Sequence, residues 1–61
     1  MEIEEFNSPI WTGGMKAKVL NNIAFKGIYD VVSVDFEEKS VTIEREIGEY
    51  KINYRDIEIV K

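Results

Sequence analysis

The stretch GIYDVVSVDF, residues 27–36, decides the fold because its apolar pattern changes phase in the middle. Tyr29 and Val31 would share one face of a strand, whereas Val32 and Val34 would share the other. One straight strand cannot bury both sets against a single flat layer, so we predict a β-bulge or a sharp bend at Val31-Val32. A strand that bends in this way can contribute to two sheets, as a very small barrel requires.

Four further segments alternate apolar and polar residues, which is the pattern of half-buried strands. They lie at residues 15–19, 41–47, 50–54 and 57–59, and helical periodicity is absent from the chain. Their β-branched and aromatic residues suit a pleated surface. The chain is therefore predicted to be all-β with five strands, and its predicted core consists of Val19, Val32, Val34, Ile43, Ile52 and Ile59.

Turn signals separate these strands. A loop begins at Asn21, the polar residues 37–39 predict a hairpin loop, and Gly48-Glu49 predicts a tight connection between the third and fourth strands. Residues 54–56 leave room only for one 3₁₀ turn before the last strand. The pattern indicates a five-stranded SH3-like small barrel over residues 13–61. The nearest alternative, the OB-fold, usually carries a helix between its third and fourth strands, for which this chain has no room.

Residues 1–12 form an N-terminal lead-in segment that no strand of such a barrel requires. Its apolar residues, Ile3, Phe6, Ile10 and Trp11, stand among three glutamates. We expect it to dock, with Trp11 covering a barrel end and residues 1–6 adding a strand to an edge, either of the same chain or of a second subunit. A homo-oligomer formed through this segment or through a strand edge would supplement a small core.

Several stretches resemble the KOW and Tudor group of SH3-like domains. GMKAKV at 14–19, FKGI at 25–28 and VVSVD at 31–35 are similar to the opening of those domains, and INYRDIEIV at 52–60 is similar to their end. The resemblance implies an SH3-like barrel. The chain differs from KOW motifs at Asp30, where they usually carry a second glycine, and it is less basic than they are. It also resembles, in general character, small proteins of phages and mobile elements.

Composition argues against several functions. The 61 residues include no cysteine and no histidine, so no disulfide, no thiolate or imidazole metal ligand and no histidine base is available. We expect no catalysis, no cofactor and no metal site. Glutamates occupy the start of the chain, where a signal peptide would be cationic, and apolar runs are too short to span a bilayer. A cytoplasmic location without membrane contact is expected.

The charge distribution argues against nucleic acid as a partner. The net charge is −4, and residues 30–50 hold seven acids against two bases. The three lysines at 16, 18 and 26 do not make the continuous basic face that phosphate binding needs. Lys16 and Lys18 are instead expected to pair with Glu58 if the first and last strands are neighbours.

Binding to another protein is the favoured function, as a protein-interaction module or small adaptor. The alternatives are a KOW-like domain associated with nucleic acid, and a small acidic inhibitor of a nucleic-acid-handling enzyme. Tryptophan is enriched at binding hot spots, although it also suits a core. The candidate partner-binding residues are Trp11, Phe25, Lys16, Lys18, Lys26 and Tyr29.

Overall fold

The computed structural model describes residues 1–21 and 26–60. Helix α1 (Ile3–Phe6) precedes strand β1 (Lys16–Val19), and the longest strand, β2 (Gly27–Asp35), follows. The remaining elements are β3 (Ser40–Arg45), β4 (Gly48–Asn53), a 3₁₀ turn (Tyr54–Asp56) and β5 (Ile57–Val60). The fold is therefore mostly β, as predicted, and the 3₁₀ turn stands where the sequence placed it.

The strands form one antiparallel sheet in the order β4-β3-β2-β1-β5. Hairpins join β2 to β3 and β3 to β4, whereas β5 returns to pair with β1 and places Glu58 opposite Lys18. The first and last strands are therefore neighbours, which is the condition under which a pairing with Glu58 was expected. Within the described residues, β4 and β5 are the end strands of the sheet, and no pairing joins them.

The phase change in β2 is a bulge, as predicted. Val31 lies opposite Ile43, but Ser33, two residues later, lies opposite Thr42, so Val32 is an extra residue without a cross-strand partner. Val32 is 45% exposed. Its prediction as a core residue is wrong, because the bulge that reverses the strand's phase turns this residue to solvent.

The core lies on the inner face of the sheet and includes one residue of the lead-in. Of the predicted residues, Val19, Ile43 and Ile52 are buried, whereas Val34 and Ile59 are half-buried. The full set of buried apolar residues is Phe6, Ala17, Val19, Val41, Ile43, Ile52 and Ile57.

The β3–β4 hairpin turns two residues earlier than predicted. Glu46 and Ile47 form the turn, and Gly48 is the first residue of β4, opposite Arg45. Gly48 has a φ of 130°, which residues with a side chain rarely adopt, so glycine is favoured at the first position after the turn. Ile47 does not continue β3; it lies at the tip of the turn and is 88% exposed.

The lead-in docks, but as a helix rather than a strand. Residues 1–6 were predicted to extend a sheet edge; instead, Ile3–Phe6 form one helical turn. Ile3 and Phe6, three residues apart, share one face of a helix, and both pack against the core. The backbone nitrogen of Met1 donates a hydrogen bond of 2.8 Å to the carbonyl oxygen of Ile57. Within the described residues, no helix has the length and apolarity needed to cross a membrane.

Candidate functional site

Phe6 stands at the centre of an aromatic cluster that joins three parts of the chain. Its ring centroid lies 5.9 Å from that of Trp11, 5.4 Å from that of Phe36 and 5.3 Å from that of Tyr54. Phe6 is fully buried, whereas Trp11 is partly buried and packs against the same core. Aromatic pairs of this kind contribute about 0.5–1.5 kcal/mol beyond the area they bury. The cluster fixes the lead-in against the β2–β3 hairpin and the 3₁₀ turn.

Trp11 is held beside this cluster with one part of its ring uncovered. Its indole nitrogen donates a hydrogen bond of 2.9 Å to the carbonyl oxygen of Phe6, and its ring meets that of Phe6 edge-on at 72°. Together with Thr12 and Gly13, Trp11 forms one wall of a cleft of about 270 Å³ whose other wall is residues 31–34 of β2. We call this space the Trp11 cleft.

The Trp11 cleft exists because β1 covers only the first half of β2. The β1–β2 register ends at the pair Lys16 and Asp30, and the next contact is a 2.9 Å hydrogen bond from the Val31 nitrogen to the Met15 oxygen. Before Met15 the chain turns away through Gly14, whose φ is 82°. Among residues 1–21 and 26–60, residues 33–35 pair with β3 on one side, Val32 is the unpaired residue of the bulge, and no strand pairs with residues 32–35 on the other side.

Chemically, the cleft combines an open strand edge with an apolar wall. Val32 is raised to the surface by the bulge, and Phe36, just beyond β2, is 52% exposed although its ring contacts Phe6. Val32 was predicted as a core residue and lines the cleft, whereas Phe36 lies beyond the residues that line it. The phase change at Val31-Val32 was the signal that could have identified Val32, because bulges are over-represented beside functional sites.

Tyr29 does not line the Trp11 cleft. It lines a second depression, of about 310 Å³, with Arg45, Glu46 and Ile47. The predicted aromatic residues therefore do not form a single groove. Phe25, the third aromatic residue proposed for binding, lies outside the described residues.

The three candidate lysines are all exposed, and two of them, Lys16 and Lys18, occupy alternate positions of β1. The Lys16 ammonium lies 2.8 Å from a carboxylate oxygen of Asp30, so its ion pair is with β2 and not with Glu58. Lys18 stands between Glu58 and Ile28 in the register of the sheet. Lys26 is exposed immediately before β2. Two of these three charges therefore have an acidic residue on the neighbouring strand.

One lysine, Lys51, forms ion pairs with two acidic residues of the β2–β3 hairpin. The Lys51 ammonium lies 2.6 Å from Glu38 and 3.8 Å from Asp35. The hydrogen bond with Glu38 raises the pKa of Lys51 above 10.5, and the negative charges of Glu38 and Asp35 act in the same direction. In the part of the chain that the structure describes, no three acidic side chains are grouped in a way that could hold a metal ion.

Comparison with known proteins gives no relative. The chain has no significant match among protein-family models, curated proteins or solved structures.

Proposed function

We propose that this chain is a non-catalytic protein-interaction domain that binds an extended segment of another protein in the Trp11 cleft. The observation that carries the proposal is the unpaired side of β2 at residues 32–35, which faces the wall formed by residues 11–13. An exposed strand edge is a template for pairing with another chain. Here the edge lies next to a half-buried tryptophan.

The chemistry of such an edge suits recognition by strand addition. An extended peptide that pairs with a sheet edge gains affinity from main-chain hydrogen bonds and specificity from pockets for alternate side chains. Residues 32–35 offer the main chain, and Trp11 with Val32 offers an apolar contact for one of those side chains. Trp11 is anchored by its hydrogen bond to Phe6, so little side-chain freedom remains to be lost on binding.

The fold that goes with this proposal is an SH3-like small barrel. A long, bulged β2, the return of β5 to β1 and the 3₁₀ turn before β5 support it. The dimensions, 28 × 23 × 22 Å, are nearly equal, as expected of a sheet that curls on itself rather than lying flat. The similarity of residues 13–60 to KOW and Tudor domains supports the same fold.

A pull-down with two matched variants tests the proposal. Val32→Gln replaces an apolar contact in the Trp11 cleft with a polar one, whereas Ile47→Gln makes the same kind of change at the tip of the β3–β4 turn. Both positions are exposed, so both variants should keep the fold, which circular dichroism checks. We expect a partner protein to be retained by the parent chain and by Ile47→Gln but not by Val32→Gln. Equal retention by both variants would contradict the assignment of the cleft.

A second copy of the chain is the other occupant to consider, and the same variants address it. Self-association through the cleft would appear as a mass that rises with concentration in sedimentation and falls to the monomer in Val32→Gln. That outcome would replace a foreign partner with a homo-oligomer.

Inhibition of a nucleic-acid-handling enzyme by an acidic surface is the second candidate function. One observation favours it: Glu44 and Glu49 lie directly opposite each other on β3 and β4. Both side chains are exposed, so they place two negative charges side by side on this surface even though like charges at such positions destabilise a sheet. Loss of inhibition in Glu44→Gln together with Glu49→Gln, and not in Val32→Gln, would favour this candidate over the cleft.

Direct binding to nucleic acid is the alternative that the ion pairs disfavour. Lys16 is already paired with Asp30, and the summed charge repels a polyanion. We expect weak or no binding to DNA or RNA at physiological salt. Sub-micromolar binding in an anisotropy titration at ~150 mM salt would overturn this expectation and favour the KOW-like function.

A further inference from the structure

We infer that the segment bound in the Trp11 cleft is basic, an extended peptide in which lysine or arginine alternates with apolar residues. This inference rests on the proposed function and names the partner's chemistry. It is carried by the charges on the two elements that flank the cleft, the lead-in and the β2–β3 hairpin.

The lead-in side of the cleft is strongly acidic. Glu2, Glu4 and Glu5 are all exposed, and residues 1–12 contain no lysine or arginine. Helix α1 is not a loose tail, because Phe6 is fully buried and its ring packs against that of Phe36. The helix that carries Glu4 and Glu5 is therefore held against the hairpin that follows β2.

The hairpin side is also negative, though less so. Asp35, Glu37 and Glu38 are opposed by two bases, Lys39 in the same loop and Lys51, which is shared between Glu38 and Asp35. Lys16, the first residue of β1, forms an exposed ion pair with Asp30 on the neighbouring strand. Both segments thus carry more carboxylates than bases.

The geometry of an extended peptide fits this arrangement. Successive side chains of a strand point to opposite faces, so one set can contact Trp11 and Val32 while the other set stays in solvent near the carboxylates. Because the carboxylates are exposed, their attraction should raise the association rate and should be screened by salt. The apolar contact should be largely independent of salt.

The preference for a basic peptide can be tested by fluorescence, because Trp11 is the one tryptophan of the chain and lies in the cleft itself. Its fluorescence would be titrated with three synthetic peptides of roughly eight residues that alternate valine with lysine, with serine or with glutamate. We expect the lysine peptide to bind most tightly and the glutamate peptide least, with the difference shrinking as salt rises. The double variant Glu4→Gln with Glu5→Gln should lower the affinity for the lysine peptide roughly threefold. The control Glu49→Gln on β4 should leave this affinity unchanged.

The outcomes separate this inference from the proposed function. If the three peptides bound equally and Val32→Gln abolished binding of each, the basic preference would be overturned while the cleft remained a binding site. If the glutamate peptide bound best, the charge argument would be overturned in the same way. If none of them bound and Trp11 fluorescence never changed, both the inference and the proposed function would be contradicted.

Discussion

The indole N–H of Trp11 donates a 2.9 Å hydrogen bond to the backbone oxygen of Phe6, five residues earlier in the chain. This bond couples the wall of the Trp11 cleft to the residue that anchors the lead-in. A helix of four residues is too short to be stable by itself, so its position depends on the burial of Phe6. The stability of the domain and the shape of its candidate site therefore share one side chain.

Replacing Phe6 with alanine should strongly destabilise the domain. Truncation of a buried phenylalanine costs about 3–5 kcal/mol, which is comparable to the whole stability of a domain of this size. Urea denaturation followed by Trp11 fluorescence measures the loss. The control is Phe36→Ala, which removes a half-exposed ring of the same cluster and should cost much less. Equal effects of the two variants would show that the lead-in is not anchored by Phe6.

The strand phase is tested by a second pair of variants. Ile43 is fully buried on β3, whereas Val32 is the exposed residue of the bulge. Ile43→Ala should cost about 2–4 kcal/mol and Val32→Ala only a few tenths. The midpoints of thermal melting compare them directly. A larger loss for Val32→Ala would mean that the bulge turns the other way.

Most of the sheet could be predicted from alternation. The alternation correctly predicted three buried residues, Val19, Ile43 and Ile52. Each lies at an inward-facing position of a strand whose outward-facing positions hold polar residues. The phase change in β2 also predicted the bulge, but a pattern alone does not tell which of two adjacent valines is left unpaired. That choice depends on the register with β3, which sets Val31 opposite Ile43.

The lead-in could be predicted to dock but not in the right form. A spacing of three between Ile3 and Phe6 is compatible with one helical turn, and glutamates at positions 4 and 5 favour a helix N-terminus. In so short a segment these helix signals are few, and they did not outweigh the expectation that an exposed sheet edge is covered by an added strand. Of the residues that line the Trp11 cleft, only Trp11 was predicted as a binding residue, since the cleft depends on where β1 begins, at Lys16, and not on the type of any one residue.

Removing the hydroxyl group of Ser40 should not weaken the fold. Ser40 is 5% exposed, and its oxygen has no hydrogen-bond partner within the described residues. A buried polar group without a partner carries a desolvation cost of about 1–3 kcal/mol. Ser40→Ala should therefore raise the free energy of unfolding or leave it unchanged, and the exposed Ser33→Ala serves as a control. A clear loss of stability in Ser40→Ala would point to a partner for the hydroxyl.

The ion pair of Lys51 should make stability depend on pH in the alkaline range. Because its hydrogen bond with Glu38 raises the pKa of Lys51, the folded chain holds this proton more tightly than the unfolded chain. The contribution is fully present below the ordinary pKa of 10.5 and is lost as the pH rises through the folded value. A double-mutant cycle with Lys51→Gln and Glu38→Gln isolates the coupling free energy between the two side chains. Denaturation would be measured at a pH below the ordinary pKa of Lys51 and at a pH above its raised value. A coupling that stayed constant or grew with alkaline pH would contradict this assignment.

Amide hydrogen exchange of the chain with and without the valine–lysine peptide tests the central claim, strand addition at β2, most directly. Added main-chain hydrogen bonds slow exchange, and the slowing should be confined to residues 32–35 and the facing lead-in. The end strand β4 also has an unpaired edge within the described part of the chain, so residues 48–53 provide an internal comparison. We expect protection at residues 32–35 that Val32→Gln removes and no change in β4. Protection of β4 instead, or binding of the peptide without protection of residues 32–35, would contradict the assignment of this edge as the binding site.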